Sequence, residues 1–83
     1  MPTVFRSGGY RFFFYSGDYD EPPHIHVEYG DGVAKFWLNP VMLEKSRGFS
    51  SKELKKLYSL IEENHFVLMK GWEDYFGNKN TAG

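Results

Sequence analysis

Two alternating runs joined by a glycine-rich turn constrain this 83-residue chain more than any other feature. They are residues 24–29 (HIHVEY) and 33–38 (VAKFWL), on either side of Gly30-Asp31-Gly32. Period-two alternation predicts strands, and a Gly-Asp-Gly junction predicts a tight hairpin between them. Successive side chains on a strand point to opposite faces. Any two-residue turn within the junction therefore groups Ile25 and Val27 with Ala34, Phe36 and Leu38. The same turn groups His24, His26 and Glu28 with Lys35 and Trp37. The first set is apolar and predicts the core. The second combines imidazoles, charges and an indole, which ordinary solvated faces seldom do, and exposed aromatic patches mark binding.

The flanking segments complete an α+β pattern. Residues 3–6 and 10–16 are β-prone around Gly8-Gly9, a pair suited to the positive φ angles of a tight turn, and predict a first hairpin. Its second strand adds either Arg11, Phe13 and Tyr15 or Phe12, Phe14 and Ser16 to the polar face. The first choice keeps an arginine out of the core. Residues 17–23, with their acids and Pro22-Pro23, read as a loop. Asn39-Pro40 stops the strand before it. Residues 41–47 fit either a further short strand or an irregular connection.

Ser50 and Glu53 form a capping-box pattern, with Phe49 and Leu54 placed as a hydrophobic staple. Leu54, Leu57, Tyr58, Ile61, His65, Leu68, Met69, Trp72, Tyr75 and Phe76 then recur at helical spacing. One straight helix over 51–76 would span roughly 39 Å at 1.5 Å per residue. A domain of this size has a radius of gyration of only about 12 Å. The helix must therefore break, most naturally at Glu63-Asn64-His65, or overhang onto a partner. Leu60, Phe66 and Val67 lie off the stripe as surplus apolar residues. The expected architecture is about four antiparallel strands in two hairpins, followed by a C-terminal helical segment, either one helix or kinked into two, packed on one face. It forms a single domain over 1–77, with 78–83 a flexible tail.

Composition narrows the chemistry. With no cysteine, disulfides, thiolate metal sites and cysteine nucleophiles are excluded. A formal net charge of −1 argues against broad electrostatic binding to nucleic acid but leaves room for a local basic site. The glycines match no phosphate-binding loop. No apolar run approaches the ~18 residues of a membrane span, and no signal-peptide pattern opens the chain. A cytoplasmic protein without membrane contact is the expectation, since small secreted domains usually carry disulfides.

The polar face suggests a reaction. His24 and His26, two apart on one strand, point the same way with backbones roughly 6–7 Å apart. Two imidazoles near neutral pKa supply a general base and a general acid. Lys35 and Arg11 would stabilise a phosphorane-like transition state. Tyr15 would position a 2′-hydroxyl and Trp37 would stack a base. Phe13 and Glu28 complete the face. This set suits RNA cleavage without metal or cofactor. A lesser reading uses His24 and His26 as zinc ligands, with Glu28 or His65 third, but the spacing of Asp18, Asp20 and Glu21 completes no ligand motif. The simplest role for His65 is a hydrogen-bonded core histidine. Trp72, Tyr75 and Phe76 read as core, and Lys52, Lys55 and Lys56 as a solvated helix face.

The runs RFFFYS (11–16), EPPHIHV (21–27), AKFWL (34–38) and GFSSKEL (48–54) resemble one family of small bacterial proteins, catalogued as a domain of unknown function. Its members share the pattern F-F-F-Y-S, E-P-P-H-x-H-V and A-K-x-W-L, and the resemblance covers residues 1–77. It implies a setting rather than a mechanism, because members often neighbour a second small domain in an arrangement like a toxin–antitoxin pair. Two function classes follow. One is an RNA-cleaving toxin using His24, His26, Lys35 and Arg11. The other is a non-catalytic interaction module that binds a neighbour-encoded small protein, or a second copy, through the aromatic face and surplus helix residues.

Overall fold

The Gly30-Asp31 turn forms as the alternation requires. It joins β3 (His24–Tyr29) to β4 (Gly32–Leu38) with Tyr29 opposite Gly32 and His24 opposite Trp37. Gly30 adopts φ +57°, a conformation open to glycine at the first position of such a turn. This computed structural model describes residues 3–15, 17 and 20–77. The expected tail at 78–83 lies outside them, as do Ser16 and Asp18.

β3 and β4 are the centre of a five-stranded antiparallel sheet whose spatial order follows the chain. β1 (Thr3–Ser7) and β2 (Tyr10–Phe13) form the first hairpin, with Gly8 and Gly9 both at positive φ. β2 pairs with β3 so that Arg11 faces Glu28 and Phe13 faces His26, which settles the choice in favour of Arg11, Phe13 and Tyr15. β5 (Val41–Arg47) follows the two-residue Asn39-Pro40 turn. The expectation of about four strands is thus corrected to five. The proline ends β4 but also makes a hairpin, and β5 conceals its period because it carries a bulge and is largely exposed.

α1 (Ser51–Glu63) begins with the predicted capping box. Ser50 Oγ accepts from the Glu53 N–H at 3.1 Å, and Glu53 Oε1 accepts from the Ser50 N–H at 2.8 Å. Of the two outcomes the length argument allowed, the helix takes the break, at Asn64. α2 (His65–Trp72) continues it and ends in a π-helical turn, Glu73–Gly77. Two contacts hold the break. The Asn64 side chain donates to the Leu60 carbonyl at 2.8 Å, and His65 Nε2 donates to the Leu38 carbonyl at 2.5 Å. His65 therefore has the structural role expected of it, tying α2 to the end of β4.

Both helices cover the apolar face. Phe12, Ile25, Val27, Ala34, Phe36 and Leu38 bury against Leu57, Ile61, Leu68, Trp72 and Phe76. Phe14, just past β2, sits edge-on to Trp72 at 5.2 Å. Rings carry much of this core because each buries a large area for little conformational cost. Tyr75, read as core, is instead exposed, as is Tyr58, while Leu60 packs against the core from its rim. Tyr10 lies under Tyr29 and Phe49. Burial, with the Glu53 carboxylate and Tyr29 adding to it, raises its hydroxyl pKa above the ordinary 10.0.

Two outcomes follow. A Cβ at Gly71 would stand 2.6 Å from Val4 Cγ1. Gly71→Ala should therefore lower stability by about 1–3 kcal/mol in urea unfolding, against the ~1 kcal/mol gain that helix propensity alone predicts. Adding Val4→Ala should recover most of the loss. The raised Tyr10 pKa contributes stability that is intact below pH 10.0 and declines as pH rises through the folded-state value. Tyr10→Phe should flatten the alkaline limb of a stability–pH curve, and an unchanged limb would remove Tyr10 as its cause.

Candidate functional site

The opposite face of the sheet carries rings and charges in successive rows. Phe13 opposes His26, which opposes Lys35; Arg11 opposes Glu28; His24 opposes Trp37. All the residues singled out from the sequence are therefore on this face or beside it. They are not equally available.

His24, at the start of β3, is completely buried. Its ring meets Trp72 at 5.1 Å, Trp37 at 5.6 Å and His26 at 5.0 Å. Its Nδ1–H donates to the Pro22 carbonyl at 2.9 Å, so the proton of the neutral ring resides on Nδ1. The alternation put this residue on the open face correctly, but Trp72 closes the sheet at that end. The expected pair of exposed imidazoles is thus corrected to one. Phe13 is also buried, beneath His26, Tyr15 and the Arg11 guanidinium, which lies 4.3 Å from its ring.

His26 remains half-buried and reachable. It stacks on Phe13 at 5.5 Å and meets the exposed Tyr15 ring edge-on at 4.6 Å. The two predicted cations are held by acids. Arg11 pairs with Glu28 and also donates to Thr3 Oγ1 at 2.9 Å. Lys35 donates to Glu21 Oε1 at 2.6 Å, with its ammonium 4.8 Å from the Trp37 ring centre. Among the described residues, no three His, Asp or Glu side chains converge closely enough to hold a metal ion. The zinc reading is left without a third ligand there.

β5 adds what the sequence reading missed. Opposite Lys35 stands Lys45, and opposite Val33 stands Arg47. With Tyr15, His26 and Lys35 they line a groove of about 430 Å³. Among the described residues, none that lines it is acidic. The two cations reach this face through a bulge. Leu43 pairs with Phe36 and Lys45 with Lys35, so Glu44 is the additional residue. Regular pairing from the Asn39-Pro40 turn would have set Glu44 against Lys35. Treating Asn39-Pro40 as a hairpin turn was the available signal for β5, though it would have assigned the wrong charges to this face.

Such a groove suits an extended anion. It offers ammonium and guanidinium groups for charge, an imidazole for proton transfer and exposed rings for stacking. His24 serves the fold first. His24→Ala should lower stability by about 3 kcal/mol or more, as truncating a buried ring does, whereas His26→Ala should shift the urea midpoint much less. Equal, small shifts would show that His24 is not the packed anchor described.

No curated protein and no solved structure matches this chain. Residues 9–73, which take in β2 to β5 and both α-helices, match a family described as a domain of unknown function (DUF4160). That match spans well over half of the sequence and bears out the expectation of a small domain of unknown function. The chain belongs to the DUF4160 family.

Proposed function

We propose that this protein is the RNA-directed member of a toxin–antitoxin-like two-gene module, and that it cleaves RNA without a metal or cofactor. The observation carrying the reading is the groove that Lys35, Lys45 and Arg47 line together with His26 and Tyr15, with no acid lining it among the described residues. A local basic groove attracts a polyanion even on a chain whose net charge is −1. The phosphodiester lies along the β4–β5 cations, with Tyr15 and Trp37 offering ring faces to bases. His26 takes the 2′-hydroxyl proton, the O2′–P bond forms and the P–O5′ bond breaks. The departing 5′-oxygen takes its proton from solvent, since His24 is sealed away. Lys35 and its neighbours offset the charge that grows on the phosphoryl oxygens. Arg11, paired with Glu28, supports this face rather than contacting phosphate.

The alternative is a non-catalytic interaction module that binds through the aromatic sheet face together with the surplus apolar residues of α2. Phe66 is 78 % exposed and Val67 is 46 % exposed on α2. A neighbour-encoded small protein, or a second copy of the chain, would cover them.

Fluorescence anisotropy with a single-stranded RNA, across a salt series in EDTA, tests the main reading. Lys45→Ala/Arg47→Ala should weaken binding and reduce the salt slope by about 1.4, the share of two phosphate contacts on single strands. His26→Ala should keep binding while cleavage falls about 10²–10⁴-fold. Binding without cleavage by the wild type would remove the catalytic part, and absence of RNA binding would remove the whole reading in favour of the interaction module.

A further inference from the structure

Glu21 stands at the rim of this groove, just before the Pro22-Pro23 lead into β3, and its carboxylate reaches over the face. Oε1 lies 2.6 Å from Lys35 Nζ and 3.7 Å from His24 Nδ1. The Lys35 ammonium is nearly buried, with 11 % of its side chain exposed, while the Glu21 side chain is 48 % exposed. The cation is thus fixed within the sheet, and the anion approaches it from solvent. Lys35 is held in place further by the Trp37 ring and by its position in a central strand. Its cross-strand neighbour on the other side is Lys45. Like charges directly opposite each other repel, so this pair of ammonium groups favours an oxyanion beside it.

We infer that Lys35 is a phosphate subsite, that the Glu21 carboxylate fills it in the resting chain, and that a phosphate group of the ligand displaces Glu21. The inference rests on the RNA reading for its macromolecular ligand, but the chemistry requires only a phosphate oxyanion. A carboxylate oxygen and a phosphoryl oxygen make the same kind of charge-assisted bond to an ammonium. The exchange keeps a nearly buried cation paired throughout, which matters because an uncompensated buried charge is costly. A half-exposed carboxylate, by contrast, regains full hydration when it swings out. Glu21 therefore sets a threshold. Ligands that bring a phosphate to Lys35 displace it, and ligands that contact only Lys45 and Arg47 do not.

The experiment compares wild type, Glu21→Gln, Lys35→Met and the double variant, with Glu44→Gln as a control for charge alone. Glutamine still accepts a hydrogen bond from Lys35, and thermal unfolding checks that each variant remains folded. The probes are inorganic phosphate, followed by NMR at the Lys35 side chain and the Glu21 amide, and a short single-stranded RNA, followed by anisotropy. Glu21→Gln should tighten phosphate binding at Lys35 by about fivefold, the scale of one partly exposed ion pair. Glu44→Gln should do less, and Lys35→Met should cancel the gain in the double variant. Equal or weaker phosphate binding by Glu21→Gln, or a gain that survives Lys35→Met, overturns the inference. Phosphate binding at Lys35 without RNA binding would sustain the subsite while removing the RNA reading.

Discussion

The turn at Gly30-Asp31 sets the phase of everything around it. With Tyr29 opposite Gly32, Ile25, Val27, Ala34, Phe36 and Leu38 must share a face, and the helices have one apolar surface on which to pack. A slip of one residue would invert one strand relative to the other and present either the β3 imidazoles or the β4 ammonium group to Leu57 and Leu68. The other elements depend on this phase. β2 pairs with β3 so that Phe12 joins Val27 on the core side, and β5 adds its strand on the far edge of β4. The helix break is set from the same hairpin, because the carbonyl that accepts from His65 is that of Leu38, the last residue of β4.

Much of this was legible in the sequence, for identifiable reasons. Alternation in a two-sided sheet reports facing directly, so the division of β2, β3 and β4 into faces emerged intact. The capping box and the helical stripe are local signals, and a comparison of lengths narrowed the helix to a break near Asn64 or an overhang onto a partner. The failures are equally physical. β5 is an exposed edge strand with a bulge, so neither burial nor strict alternation marks it. His24 was assigned to the correct face but the wrong environment. Its closure comes from Trp72, nearly fifty residues away, and no local pattern reports which end of a sheet a distant ring will cover.

The site also shows how a nearly neutral chain presents a basic surface. Its acids are not absent from the polar face but are engaged there, Glu28 with Arg11 and Glu21 with Lys35. That engagement leaves the β4–β5 side to Lys45 and Arg47. Rings beneath the charges make the face firm: Phe13 supports both His26 and Arg11, and Trp37 lies against Lys35. The groove therefore combines positioned charge with a rigid floor, a pairing that limits the reorganisation needed when an anion arrives.

The bulge at Glu44 carries a consequence for how such a protein changes over generations. The sign of the groove is stored in strand phase rather than in residue identity. Loss of the single codon for Glu44 would remove the bulge and leave Lys45 opposite Lys35 and Arg47 opposite Val33, whereas closing the bulge with Glu44 retained would set Glu44 against Lys35 and turn both cations to the other face. Substitutions along β5 alter charge gradually, but a length change that shifts the phase of Lys45 and Arg47 acts as an all-or-none event. The effect of a length change in this strand thus depends on whether it closes the bulge or shifts the cations, even though the strand lies at the sheet's edge, where sequences ordinarily tolerate such changes best.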